Sequence, residues 1–400
     1  MASLADYFAT RTFEIRWPRE LVAAELDRLL MLADARQPVT NARRTESDWQ
    51  QQCEHFIREV FTSAVAQQEW ELAQRPRQWR DDPWATTVDS RTKGPDSEQL
   101  DAKSWLSELR RHVEVLPLRQ ARRPYWSERH NQQPGPDTLT LSGVARRFGE
   151  LVLELTRLGY LAWAFGEFCV DGDWDGELGA EPAGEVHRLL GRGALWPVAE
   201  LCADYTLDDL CDVVEFLADY VRRPMTSRPH NYGGCGLHFD AFDPVQGLRV
   251  YRWRVNELLT QSDLGLALDE DGRLENTAPE AIETLVTDMR ARTASIHAAD
   301  TDEISHALGR FRHRGASALD RRHAVIALAG VLERRRGIVK KELLRKDEGA
   351  LFQLANEFAI RHQNANQHGD YDEQLYLEWI FYWYLATINL TDRILTGQAT

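Results

Sequence analysis

Cysteine, lysine and long apolar runs are all scarce in this chain, and each shortage narrows what it can be. The five cysteines (Cys53, Cys169, Cys202, Cys211 and Cys235) are odd in number, scattered, and form no CxxC pair. That argues against a disulfide framework and fits reduced thiols in a cytoplasm. No apolar run reaches the roughly 18 residues that a membrane-spanning helix needs. The stretch from Met1 to Arg11 lacks the charged-then-apolar order of a secretory signal. Lysine numbers 5 against 43 arginines, which we read as the coding bias of a GC-rich genome. P-loop, GxGxxG and serine- or cysteine-nucleophile motifs are missing, which argues against an ATPase or a dehydrogenase. No repeat recurs at the spacing of a solenoid.

What the chain does have is length and apolar content. Its 400 residues, 43% apolar and with 13 tryptophans, suffice for two or three packed domains. The net charge of −15 opposes whole-surface attraction to nucleic acid. The charge is uneven, however. Residues 310–346 hold 12 Arg or Lys and 3 Asp or Glu, a local balance of +9 that leaves −24 elsewhere. Such a run is either a solvated helical face or a phosphate-binding face.

The periodicity predicts a mainly α fold: a C-terminal helical bundle preceded by a helical region with a small β-hairpin element. Leu21, Leu26, Leu29, Leu30 and Leu32, then Phe56, Ile57, Val60, Phe61 and Val65, recur near a helical period. We divide the chain into three parts. Residues 1–140 form an N-terminal helical region with a long Arg/Trp-rich loop, broken by one helix from about Lys103 to Val115. Residues 141–278 form a middle α+β domain, and 279–400 a helical bundle. In the loop, Trp79, Trp84 and Trp126 are read mainly as anchors onto a core, with base stacking as the other reading.

In the middle part, Thr206 suits an N-cap, with Asp208 and Asp209 in the first turn. "GLRVYRWRV" alternates apolar residues with arginine and predicts a strand. "LDEDGRLE" predicts a turn at Asp271-Gly272 between two short strands. His230, Cys235 and His238 are spaced H-x4-C-x2-H, which suits metal ligation. No fourth ligand is evident and the intervening glycines favour a tight turn, so we expect no metal centre and no cofactor. The acidic loop at Asp171, Asp173 and Asp175 lacks EF-hand spacing. Joined to the two histidines and Cys235, it offers only a minor alternative, a metal-dependent hydrolase. In the last part, helices are expected at 279–298, 302–313, 320–346, 347–362 and 371–396, with breaks at Gly315 and Gly337. Asp370 and Glu373 would cap the last of these helices.

The sharpest chemical signal is Arg361-His362-Gln363-Asn364-Ala365-Asn366-Gln367-His368. A guanidinium clamps a phosphate with a planar fork of donors. An imidazole moves a proton near neutral pH. Together they suit phosphodiester chemistry on RNA. A structural alternative is a capping and packing pair.

On these residues, and on "LFQLANEFAIRH" and "YDEQLYLEWIFYWYLATI", the C-terminal 120 residues resemble a HEPN domain, the helical bundle of bacterial toxins and abortive-infection ribonucleases. The resemblance covers about a third of the chain well. The region from "DVVEFLADYV" through "LDEDGRL" resembles more loosely what often precedes that domain.

The resemblance implies a metal-independent endoribonuclease of an antiphage, abortive-infection or toxin-type system, working as a homodimer whose two motifs share a cleft. His368 would handle the proton of the ribose 2′-hydroxyl or of the leaving oxygen. Arg361 would stabilise the phosphorane-like transition state. His362 would orient Arg361 or contact the phosphate. Products would carry a 2′,3′-cyclic phosphate and a 5′-hydroxyl. The partner would be RNA, tRNA included, with Arg334, Arg335, Arg336, Lys340 and Lys341 along its backbone. Some family members are silenced by nucleotidylation of a tyrosine two residues after the motif histidine. Here Gly369 and Asp370 separate His368 from Tyr371, a departure that puts this mode in doubt. The other reading the resemblance allows is a non-catalytic HEPN module that binds nucleotides or partners. No membrane is expected, and neither a trigger nor an antitoxin is legible.

Overall fold

The computed structural model describes residues 4–35, 42–74, 100–119, 138–179, 181–230, 232–278, 280–293, 298–342, 349, 351–353 and 372–397. The chain is mainly α, with two small two-stranded antiparallel sheets among the described residues. It divides into two compact units, Met1–Arg254 and Val255–Thr400.

In the first unit, helix α1 (Arg19–Asp34) buries Val22, Leu26 and Leu29, one face of a helix. Helix α2 (Ala42–Val60) buries Trp49, Cys53, Phe56, Ile57 and Val60, again at three- and four-residue steps. The Trp49 indole donates to Leu29 O at 2.9 Å and locks the two helices together. Helix α3 (Ala64–Gln74) adds Trp70, and α4 (Ala102–Arg111) adds Trp105, Leu106 and Leu109. Helix α4 begins where Asp101 accepts from Ser104 N.

Helix α5 (Leu141–Arg157) starts at a Thr140 cap and buries Val144, Phe148, Leu151, Val152 and Leu155. Helix α6 (Leu207–Tyr220) starts at Thr206, as expected, in a full capping box with Asp209. Trp79, Trp84 and Trp126 lie outside the described residues.

The segment expected as a strand is a helix. "GLRVYRWRV" lies in α7 (Pro244–Leu259), which buries Val250, Tyr251, Val255, Leu258 and Leu259. Those steps fit 3.6 residues per turn better than two. Asp243 accepts from Gln246 N at 3.0 Å and Pro244 stands at the first helical position, a strong start signal. The strands fall just before it. β1 (Arg223–His230) pairs antiparallel with β2 (Gly236–Asp243), from Arg223 opposite Asp243 to His230 opposite Gly236. Pro224 and Pro229 hide β1 from pattern reading, and a two-stranded ribbon tolerates them because each strand has an open edge.

A buried charge network roots this hairpin. Arg223, 1% exposed, donates to Glu25 of α1 at 2.6 Å and to Glu59 of α2 at 3.2 Å, and lies over the Trp17 ring. Arg28 also holds Glu25, and the Tyr160 hydroxyl donates to Glu59. Burial acts to raise the Glu25 pKa, but the Arg223 and Arg28 guanidinia outweigh it and hold the carboxyl below its ordinary value.

The second unit is a bundle. The expected turn at Asp271-Gly272 joins β3 (Leu266–Leu268) to β4 (Leu274–Asn276). Four helices follow: α8 (Glu280–Thr293), α9 (Ala298–Arg312), α10 (Ala318–Arg334) and, after the short α11 (Arg336–Glu342), α12 (Glu373–Gly397). Each of the four packs on two others, in the ring α8–α9–α10–α12–α8. The centre holds Met289, Leu308, Phe311, Leu328, Phe381 and Leu385, with Phe311 stacked on Phe381 at 3.9 Å. Gly315 sits between helices, as expected, whereas the break near Gly337 comes earlier, at Arg335. Asp372 caps α12, accepting from Gln374 N and Leu375 N. Asp370, expected in that role, lies outside the described residues, as does most of 347–362.

Candidate metal centre

The hairpin register settles what the H-x4-C-x2-H spacing left open. His230 faces Gly236, so His238, two residues further along β2, is its diagonal neighbour on the same face. The turn between the strands carries Cys235. A fourth side chain comes from 61 residues before His230: Cys169, in the acidic glycine loop after α5. One donor atom from each of Cys169, His230, Cys235 and His238 lies within 4.8 Å of the others. The H-x4-C-x2-H spacing shows three of these side chains. Cys169 corrects the ligand count, because folding delivers it from a distant loop that no local spacing could reveal.

Two glycines bring that loop in. Gly166, at φ +78°, sits so close to the backbone at Trp174 that a Cβ there would fall 1.9 Å from its carbonyl oxygen. That approach lets Glu167 and Trp174 exchange backbone hydrogen bonds at 2.9 and 3.0 Å, which closes the loop. In the hairpin turn, Gly233, at φ +63°, leaves room for Val170, next to Cys169.

Two of the donor separations match the edges of a tetrahedron. His230 Nδ1 lies 3.3 Å from His238 Nε2 and 3.5 Å from Cys169 Sγ. With metal–nitrogen bonds of about 2.0 Å and metal–sulfur bonds of about 2.3 Å, tetrahedral edges come to about 3.3 Å for N–N and about 3.5 Å for S–N.

A carboxylate stands behind each of the two rings. Glu167 Oε2 lies 2.8 Å from His238 Nδ1, and its other oxygen accepts from Phe239 N at 3.0 Å. Asp171 lies 3.4 Å from His230 Nε2. Each carboxylate stands at the ring nitrogen that faces away from the cluster, where an outer partner orients a metal-bound imidazole. Asp171 N also approaches Cys169 Sγ at 3.5 Å, a contact that suits a thiolate. Asp171 thus belongs to the outer shell, while Asp173 accepts from Cys169 N; Asp175 has no place among the four ligands.

A second cavity of the first unit, about 390 Å3, is lined by Arg16, Trp17, Arg58, Arg157, Trp253 and Arg254. His55 stands in its wall with no hydrogen bond to either ring nitrogen. Burial, aided by Arg223 and Arg58, pushes its pKa down to about 3.

The residues expected to work on RNA are placed as follows. Arg361, His362 and His368 lie outside the described residues. Arg335 is buried, donating to Asp300, Thr391 and Asp392 and tying α9 to α12. Arg334 is exposed but shared between Asp300 and Glu303. Arg336 stacks on Phe352 at 4.5 Å and lies 3.7 Å from Glu333. Lys340 and Lys341 are exposed. The basic run is therefore partly internal wiring of the bundle, which a charge count cannot distinguish from a binding face.

No family model matches this chain, and no curated protein or solved structure matches it either.

Proposed function

We propose that the chain is a metal-independent endoribonuclease of the HEPN kind, acting in a cytoplasm as a homodimer in bacterial defence or toxin-type restraint of growth. The observation that carries this reading is the Arg361–His368 motif, set directly ahead of the Asp372 cap of α12 in a unit built as a ring of helices. His368 takes or gives the proton of the ribose 2′-hydroxyl or leaving oxygen, Arg361 stabilises the charge that builds on phosphorus, and His362 positions Arg361. Lys340 and Lys341, and the outer edges of Arg334 and Arg336, meet the RNA backbone.

Dimerisation is supported by an apolar stripe on α12 that begins at Leu375, seven residues after His368 in sequence. Leu375 is 63% exposed and Trp379 52%. Trp379 stacks on the half-buried Trp383 at 5.5 Å, and Leu390 continues the line. These positions share one helical face, and a contiguous apolar patch marks an association surface. The first unit restrains the nuclease or senses its trigger.

The test is incubation of total bacterial RNA with the purified chain in excess EDTA, wild type beside His368→Ala. Discrete fragments from wild type alone are expected. Intact RNA from both the full chain and its 279–400 fragment refutes the nuclease and leaves the non-catalytic binding module. A 279–400 fragment no more active than the full chain refutes restraint.

A further inference from the structure

We propose that Cys169, His230, Cys235 and His238 hold one zinc ion in a closed tetrahedral site, pinning the β1–β2 hairpin to the 166–176 loop. The argument stands apart from the ribonuclease reading, since no residue is common to both.

Three independent features converge. The donor set is two sulfurs and two imidazoles, the Cys2His2 combination of structural zinc. The N–N and S–N separations of 3.3 and 3.5 Å match the edges of a zinc tetrahedron. Both histidines also have a carboxylate beyond the ligating nitrogen, Glu167 for His238 and Asp171 for His230. That outer shell orients metal-bound imidazoles. Packing alone explains none of the three. Cys169, His230 and Cys235 are only partly buried, so the cluster is no apolar core that happens to include sulfur.

The ligand set favours zinc among the common divalent ions. Oxygen-seeking calcium and magnesium need carboxylates and carbonyls at the first shell, and here the carboxylates stand behind the histidines. Four protein ligands leave no open position for water or substrate, so the ion supports the fold and does not act as a Lewis acid. Its structural task is evident from the chain. The hairpin strands are eight residues each, and a lone two-stranded ribbon is marginal in water. Arg223 fixes one end of this ribbon, and the zinc fixes the other.

Binding releases the thiol protons to solvent: both cysteines ligate as thiolates, and the two imidazoles ligate neutral.

The test uses the full chain, purified without metal-affinity chromatography and in reductant. Elemental analysis is expected to find one zinc per chain. Exchange into cobalt is expected to give the intense visible bands of a tetrahedral ion and the near-ultraviolet thiolate charge-transfer band. Cys169→Ser and His238→Ala are expected to lose both signatures, while Cys211→Ala, in α6, retains them. Chelation is expected to lower the melting temperature, with recovery on adding zinc. The cobalt spectrum is read on wild type, so a variant that fails to fold does not remove the test. A wild-type chain that takes up no zinc overturns the proposal. So does a weak octahedral cobalt spectrum, a Cys169–Cys235 disulfide found in reductant, or Cys169→Ser with full metal content. None of these readouts depends on RNA cleavage, so the two proposals fail separately.

Discussion

Replacing Arg223 with methionine keeps the volume of the side chain and removes its charge. Arg223 bridges Glu25 and Glu59. Glu25 retains Arg28, which holds both its oxygens at 2.7 and 2.8 Å, but Glu59 is left with the Tyr160 hydroxyl. Breaking one partner out of a buried ion pair costs about 3–5 kcal/mol, because the remaining charge is stranded. With Arg28 still in place, the lower half of that range is expected.

The loss should depend on pH. Without the guanidinium, burial raises the folded-state pKa of Glu59 further, and a carboxyl with a raised pKa becomes a liability as pH rises above its unfolded value. The deficit should therefore be larger at about pH 8 than at about pH 5. Urea unfolding followed by tryptophan emission is the assay, because all 13 tryptophans except Trp379 and Trp383 precede residue 255. The double variant R223M/E59Q should recover much of the loss. A deficit below about 1 kcal/mol, the worth of an exposed pair, refutes the reasoning. So does a double variant no better than the single one.

His55→Phe should flatten the pH dependence of the first unit. The folded pKa is lowered to about 3 while the unfolded value is about 6.5, so His55 makes stability climb as pH rises between these values and adds no slope above them. The span amounts to roughly 4–5 kcal/mol, measured as urea midpoints against pH. Arg335→Met should cost the C-terminal bundle about 3 kcal/mol, since Asp300 and Asp392 lose the cation set between them; circular dichroism of the thermal transition reads it. Trp379→Lys, on an exposed position, should leave the melting temperature nearly unchanged and shift the chain from dimer to monomer in sedimentation. Thr206→Ala should cost about 1 kcal/mol through the lost capping box, seen in the same urea assay.

The sequence revealed most clearly what depends on near neighbours. Thr206 and Asp209 are three residues apart, and the Asp271-Gly272 turn is a dipeptide. Both took the forms that local chemistry dictates. The helical stripe of α2 was visible for the same reason. Reading failed where two local signals competed. "GLRVYRWRV" alternates like a strand, yet the Asp243-Pro244 start ahead of it decides for a helix. It failed again where the deciding contact is remote. Cys169 reaches His230 across 61 residues, and Arg223 reaches Glu25 across 198. Arg335 shows the same limit in reverse: within a run of like charges it looks available, and only the approach of Asp300 and Asp392 shows that it is spent inside the bundle.

The most direct measurement of the functional claim is the chemistry of the RNA ends. Fragments made by the full-length chain are labelled or ligated to distinguish a 5′-hydroxyl with a 2′,3′-cyclic phosphate from a 5′-phosphate with a 3′-hydroxyl. Attack by the ribose 2′-hydroxyl, with His368 handling its proton, predicts the first pair of ends from wild type and no fragments from His368→Ala. The second pair of ends, or undiminished cleavage by His368→Ala, contradicts the account.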